Sequence, residues 1–468
     1  MTSRLVHGDC LIEMAKLEAS SVDAICCDPP YGIGFMGKEW DSPGSFVERP
    51  AATANRFDHV GGNHNPADSK DTQRTRLSEG RKYGAWCETW AAEALRVAKP
   101  GAHLVAFGGT RTFHRLTCAI EDAGWEIRDC LMWLYGSGFP KSLDVSKALD
   151  KAAGATRERI RGPITAEAAR WQGWGTALKP AWEPIVLARK PLAGTVAANV
   201  AAHGTGALNI DGCRIGLADD VPSVRAIRKT DYPQNYTGDG PGWGRSRGGQ
   251  AGDVVDWRPT LGRWPANVVL DQEAAAMLDA QTGELTSGKM LAGTQRSQGG
   301  GYHGHFPSEA TANDTPGDSG GASRFFYCAK ASRAEREAGL ENAPYQTLAR
   351  SGGAQGAEKD GTEYDAAQGI GLNRVMRVKN HHPTVKPVAL MRWLVRLVTP
   401  PGGLVLDLFA GSGSSGIGCM AEGFRFLGIE READYCAIAR RRIAEAAAQG
   451  NLFEAAALAV PSEEENRG

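Results

Sequence analysis

The chain of 468 residues has no surplus of either charge: 53 Lys and Arg stand against 54 Asp and Glu, for a net charge of −1. Overall charge therefore advertises no polyanionic partner, and any such contact must come from a local patch. None of the ten cysteines forms a Cys-x-x-Cys pair. Cys26, Cys27 and Cys130 lie in apolar strand-like runs, where a small buried thiol is expected, so no structural zinc or other metal site is expected and the compartment reads as a reducing cytoplasm. Residues Met1 to Cys10 lack a charged-then-apolar leader pattern, and no apolar run approaches the length of a membrane span. Glycine clusters do not recur at a fixed spacing, which removes a solenoid.

What is present is length enough for two domains, or for one with a large insert. Near the start, the apolar run Val22 to Cys27 breaks into Asp28-Pro29-Pro30-Tyr31, followed by Gly32-Ile33-Gly34. Neither proline can donate to a ladder, so the strand must end there, with Asp28 at its carboxyl tip. That edge of an open α/β sheet is where ligands bind. Asp28 and the Pro29 carbonyl together can hold an NH2 group, with the Tyr31 ring free to stack on a flat base, a set suited to methyl transfer to an exocyclic amine.

Before this tip, Arg4 to Asp9 reads as a strand and Leu11 to Leu17 as a helix, so Asp9 and Cys10 also lie at a strand end; an N-cap is the alternative role for Asp9. From Gly37 to about Lys82 the sequence is polar and rich in turn residues, and reads as a long loop, either covering the target or simply a surface insertion. A helix from Trp86 to Val97, a strand from His103 to Phe107, a helix from Phe113 to Ala123, a strand from Trp125 to Tyr135 and a last strand from Pro184 to Arg189 follow, with a charged helical insert up to Arg161. Such alternation implies a mostly parallel sheet covered on both faces. Residues 193–375 lose the alternation and read as a separate loop-rich domain containing short strand-like pieces, Ala266 to Leu270 and Arg324 to Tyr327.

Order returns at His382-Pro383-Thr384-Val385-Lys386-Pro387, with a helix from Val388 to Val398. A strand then runs through Asp407, Leu408 and Phe409 into Gly411-Ser412-Gly413-Ser414-Ser415-Gly416. An apolar strand entering a glycine turn and a helix brings backbone N–H groups and a positive helix end to a ligand. A further strand ends on Glu430, which can take both hydroxyls of a ribose or merely open the next helix. Gly411, Gly413 and Gly416 also satisfy Gly-x-Gly-x-x-Gly, making a dinucleotide-binding enzyme a rival reading. It leaves Asp28 to Tyr31 unexplained.

The Asp-Pro-Pro-Tyr tip resembles the (Asp/Asn/Ser)-Pro-Pro-(Tyr/Phe/Trp) motif of DNA amino-methyltransferases. The Asp407-x-Phe409-Ala410-Gly411-Ser412-Gly413 approach resembles their S-adenosyl-L-methionine loop, and the His-Pro-Thr-Val-Lys-Pro segment the element that holds the cofactor's methionine part. The motif order is that of the permuted β class. What the resemblance implies is an α/β fold whose mostly parallel sheet is of the S-adenosylmethionine-dependent methyltransferase type, with the two ends of the chain completing one sheet. Residues 1–192 would form the catalytic half, 193–375 an inserted target recognition domain, 376–450 the cofactor-binding half and 451–468 a flexible tail. Asp28, Pro29, Pro30 and Tyr31 would take the target amine and base; Asp9, Cys10, Thr384, Lys386, Asp407, Phe409, Gly411, Gly413 and Glu430 would take the cofactor.

The partner implied is double-stranded DNA, with a homodimer and a cognate restriction enzyme left open. Residues 141 to 260 carry 17 Lys and Arg against 12 Asp and Glu, a surplus of 5 overlapping the place where this family keeps target recognition. No Pro-Cys dipeptide is present, so the nucleophile pattern of a cytosine-C5 enzyme is missing. Adenine N6 is the expected target because an Asp at the first motif position resembles the adenine enzymes. Cytosine N4, an RNA or protein amine, and a DNA-binding module without chemistry remain the alternatives.

Overall fold

A computed structural model of the chain describes residues 3–33, 41, 69–138, 140, 142–155, 162–216, 263–286, 319–329, 334–341, 343–349 and 375–458. Its first half comprises β1 (Ser3–His7), α1 (Cys10–Met14), β2 (Val22–Cys27), α2 (Ser69–Val97), β3 (Ala98–Phe107), α3 (Phe113–Asp122), β4 (Glu126–Leu134), α4 (Val145–Ala152), α5 (Ala166–Arg170), β5 (Trp182–Arg189) and α6 (Val196–His203). There follow β6 (Val268–Asp271), α7 (Gln272–Thr282), β7 (Leu285–Thr286), β8 (Ser319–Gly320), β9 (Tyr327–Ala329), β10 (Gln346–Ala349) and β11 (Val375–Val378). The chain returns through α8 (Val388–Val398), β12 (Leu404–Asp407), α9 (Ser414–Ala421), β13 (Arg425–Glu430) and α10 (Ala433–Leu458).

Among the described residues, nine strands form one sheet in the order β1-β13-β12-β2-β3-β5-β4-β6-β9. All pairings are parallel except the two made by β5, which runs against both β3 and β4. The sheet is thus mostly parallel, as the alternation predicts. Strand β2 is apolar on both faces because both are covered: Ile25 and Cys27 pack under α2 and α3, while Ala24 and Cys26 pack with α8, α9 and α10. Asp23, the one carboxylate in the strand, is buried, but it accepts from Lys99 Nζ at 2.5 Å and from the Leu404 N–H at 2.7 Å. It thereby ties β2 and β3 to the start of β12.

The structure departs from the sequence reading at three places. The helix expected from Trp86 begins at Ser69, inside the stretch read as loop up to Lys82. Its first half is built of Lys, Gln, Arg and Glu, good helix formers that show no apolar period. Residues 37–40 and 42–68 of that expected loop lie outside the described residues. Strands β6 and β9, from the segment read as a separate domain, extend the main sheet beyond β4. Helix α10 runs to Leu458, into the segment read as a flexible tail, through Ala-rich sequence.

Strands β2 and β12 lie side by side, β13 and β1 extending the sheet on one flank and β3 on the other. Their carboxyl ends open a crevice where the strand order reverses, which is where open α/β sheets bind ligands.

Candidate active site

The crevice holds a cavity of about 570 Å³ lined from both halves of the sheet: Asp28 to Tyr31 after β2, Phe409 to Ser412 after β12, and Glu430 at the end of β13. At the β2 tip, the chain turns through Gly32 at φ +66°, where a Cβ would meet the Tyr83 ring at 2.7 Å. The turn is held by buried Asp41, which accepts from the N–H groups of Gly32 at 2.8 Å and Ile33 at 3.3 Å.

Four ionisable side chains meet at this tip. Lys386 Nζ lies 2.9 Å from Asp28 Oδ2, 3.0 Å from Glu183 Oε2 and 3.1 Å from the Tyr31 hydroxyl, which uses all three of its donors. The Tyr31 hydroxyl stands 3.0 Å from both Asp28 Oδ1 and Glu183 Oε2. It has one proton, so it serves one carboxylate at a time. Burial pushes the Asp28 carboxyl up from its ordinary value, Glu183 adds to the rise, and Lys386 opposes it. Burial would lower Lys386, but the charges of Asp28 and Glu183 outweigh it and hold the ammonium above its usual range. The structure therefore brings Lys386 to the β2 tip, beside Asp28 and Tyr31, where the resemblance had implied the cofactor's methionine part. Tyr31 is correspondingly anchored through its hydroxyl, its ring also against Gly109.

At the β12 tip, Asp407 is buried and accepts from the Phe409 N–H at 3.0 Å and from the Ser415 hydroxyl. Burial pushes its carboxyl up to about 7. The Phe409 ring packs against Trp86 and Trp90, both at 5.7 Å between centroids. Gly411 sits at φ +51°, and a Cβ there would lie 2.8 Å from His382 Nε2. Its N–H donates to Glu430 Oε2 at 2.7 Å, while the Glu432 N–H donates to Glu430 Oε1 at 2.8 Å. The Glu430 carboxylate is thus fixed at the cavity wall, with burial raising its pKa. Gly413, at φ +80°, presses against Ala439 of α10. Asp9 N-caps α1, its Oδ1 accepting from Leu11 at 2.9 Å and Ile12 at 3.3 Å, and it still lines the cavity beside buried Cys10. Thr384 lines the cavity too, its N–H donating to His382 Nδ1 at 3.4 Å.

Two residues of the site were not among those the sequence reading assigned a role. Glu183 stands near the start of β5, and only the pairing of β5 beside β3 brings it to the tip. His382 is buried against the glycine turn, edge-on to Tyr435 at 4.5 Å, and burial holds its imidazole down to about 3, so it is neutral. The position of a His just before the Pro-Thr-Val-Lys segment was the only hint.

Asp407 has a consequence that can be measured. Burial thus sets its folded pKa, about 7, well above the ordinary value of an aspartate. The stability it contributes is therefore fully present at low pH and lost as pH rises toward 7 and above. Asp407→Asn keeps an acceptor for Phe409 and a partner for Ser415. The melting temperature of the variant relative to wild type is expected to rise between pH 4 and about pH 7 and to level off above it; a constant difference would contradict the assignment.

A mostly parallel sheet with an acidic Pro-Pro-Tyr tip and a glycine turn sharing one cavity defines the class of amino-methyltransferases. The family model for DNA methylases acting at N6 or N4 matches residues 22–207 and 326–441, and the chain belongs to that family. The family uses S-adenosyl-L-methionine. Among relatives, the type II methyltransferase M.HindIII of Haemophilus influenzae is 29% identical over 219 residues, 45% of this chain and 65% of that protein. The DNA adenine methyltransferase YhdJ of Escherichia coli is 41% identical over 63 residues, 14% of this chain and 21% of that protein. The chain spans less than two thirds of the length of these curated relatives. Among solved structures, the cytosine-N4-specific PvuII DNA methyltransferase aligns over 96% of this chain and 93% of its own, with 13% identity and a TM-score of 0.40. No helix among the described residues is long and apolar enough to cross a membrane.

Proposed function

We propose that this chain methylates the exocyclic amine of a base in double-stranded DNA, adenine N6, using S-adenosyl-L-methionine. The observation that carries the reading is that Asp28 and the glycine turn open on one cavity from adjacent strands. The residues present fit the cofactor. Gly411 leaves room that a Cβ would fill against His382, and Glu430 and Asp9 offer carboxylates to hydroxyl and amine groups. Phe409 offers an aromatic face supported by Trp86 and Trp90. Bound there, the cofactor supplies a methyl group on a sulfonium.

The chain's own part is positioning. The lone pair of an aromatic amine is delocalised into its ring, and Asp28 with the Pro29 carbonyl would accept the two N–H groups and aim that lone pair out of the ring plane. Such orientation is worth roughly 7–11 kcal/mol in favourable cases. Lys386 opposes the burial that would protonate Asp28, keeping it a carboxylate able to face the positive charge that grows on the nitrogen and then to take up its proton. Only 18% of the Asp28 side chain is exposed, so a base still stacked in a duplex does not reach it; it has to be extruded. Residues 193–375 would carry the choice of DNA site, and most of them lie outside the described residues.

The choice of adenine rests on the Asp at the first motif position and is supported by the likeness to YhdJ, named for adenine. The test is to incubate the protein with labelled methyl donor and unmethylated plasmid DNA, then analyse the nucleosides by mass spectrometry. N6-methyldeoxyadenosine is the expected product. A mass shift on deoxycytidine alone overturns the base and leaves the site assignment standing; label in RNA or protein, with none in DNA, overturns the substrate.

A further inference from the structure

The connection between β4 and β5 leaves the sheet, forms α4 and α5, and returns along the rim of the cavity through Ala177, Leu178 and Pro180. Leu178 is 92% exposed there, the most exposed of the large apolar side chains described. Single exposed leucines are ordinary surface features. This one differs in how it is held. On its amino side, the N–H groups of Thr176 and Ala177 donate to Ser142 Oγ at 2.9 and 3.3 Å, and the Leu143 N–H donates to Thr176 Oγ1 at 3.0 Å. On its carboxyl side, Lys179 Nζ donates to the Gly136 carbonyl at 2.5 Å, and the Tyr135 N–H donates to the Ala181 carbonyl at 2.9 Å. The backbone on both sides is tied down, and the apolar side chain between the ties is presented to solvent at the mouth of the cavity that ends on Asp28.

Resting on the DNA reading above, we infer that Leu178 enters the base stack in the place the target base leaves. The acceptor for the target amine lies at the bottom of the cavity and the leucine at its rim, so a base that reaches the first vacates a gap beside the second. A branched apolar side chain fills such a gap without asking for hydrogen bonds, and apolar wedges of this kind hold DNA unstacked elsewhere in nature. Arg111, exposed on the same cavity wall, supplies the charge to meet a backbone phosphate. The outlay on Leu178, an apolar surface held in water in the free protein, is recovered only when a stacked partner closes over it.

The test uses the full chain and the duplex site that wild type methylates, mapped first on unmethylated plasmid DNA. Two versions of the duplex are made, one with the target base paired and one with it opposite an abasic position, where unstacking is already cheap. Leu178→Ala is expected to lower kcat/KM about 10- to 100-fold on the paired duplex and to stay within about threefold of wild type on the abasic one, with Leu178→Phe within about threefold on both. An unchanged Kd for S-adenosyl-L-methionine and an unchanged melting temperature would separate this from a folding defect. Wild-type activity of Leu178→Ala on the paired duplex, or an equal loss on both duplexes, overturns the inference alone. A wild-type protein that methylates no DNA overturns the function reading and takes this one with it.

Discussion

Asp28→Ala is expected to lower methyl transfer about 10²- to 10⁴-fold while moving the Kd for S-adenosyl-L-methionine by less than about twofold. The split follows from where the carboxylate sits. Its oxygens face Lys386 and Tyr31, while the glycine turn and Glu430 stand on neighbouring strands and make no contact with it that the substitution would remove. The fold should survive, because Lys386 keeps Glu183 at 3.0 Å and the Tyr31 hydroxyl at 3.1 Å. Asp28→Asn, which retains an acceptor oxygen but loses the charge, should fall between the two. Calorimetric titration of the cofactor beside a turnover assay makes the comparison, and turnover retained in the alanine variant would end the assignment of Asp28 to the target amine.

Lys386→Met should do more damage to the molecule than Asp28→Ala does. The ammonium is 8% exposed and is the cation shared by two partly buried carboxylates. Removing it leaves Asp28 and Glu183 facing each other across Tyr31, a loss of about 3–5 kcal/mol of stability by analogy with other broken buried pairs. Asp28, already raised by burial and by Glu183, loses the charge that opposes both. Its folded pKa climbs further, so stability present at low pH is lost as pH rises through that raised pKa, and the residual activity should climb with pH as the carboxylate re-forms. Urea unfolding at pH 6 and pH 8 with a pH–rate profile measures both. A double variant, Lys386→Met with Glu183→Gln, should recover part of the stability. Unaltered unfolding and an unaltered profile in the single variant would mean the cation has no hold on Asp28.

The parts of the site that could be read from the sequence are those whose chemistry is local. A double proline ends a strand wherever it falls, and a Gly-rich turn between an apolar strand and a helix has few other uses; both sit where that logic puts them, and α8 spans Val388–Val398 as its apolar period requires. Glu183 was invisible because its importance comes from pairing: only an antiparallel β5 beside β3 sets it against Lys386 and Asp28, and nothing in Trp182-Glu183-Pro184 announces that neighbour. Lys386 was visible as a residue of a motif, but which end of the cavity its long stem reaches is set by the packing of α8. Strands β6 and β9, four and three residues long, show in the sequence only as the strand-like pieces Ala266 to Leu270 and Arg324 to Tyr327; their place in the main sheet was not legible, because β6 takes its register from β4 and β9 from β6. For Asp9 both roles weighed in the sequence are compatible with its place: one oxygen caps α1, and the side chain still borders the cavity.

The bond from the Leu404 N–H to Asp23 spans 381 residues of chain. Because β2 and β12 are neighbours in the middle of the sheet, the seam that forms the cavity floor joins segments far apart in the chain. A ribosome must deliver residues to the end of β13 before Asp28 has a wall opposite it. Until then β2 is paired with β3 alone, and its edge toward β12 and its face under α8, α9 and α10 stay open, a target for chaperones and for misassociation. Chains cut short before β12 would accordingly lack one wall of the cavity altogether, and those cut before Glu430 the carboxylate that closes it.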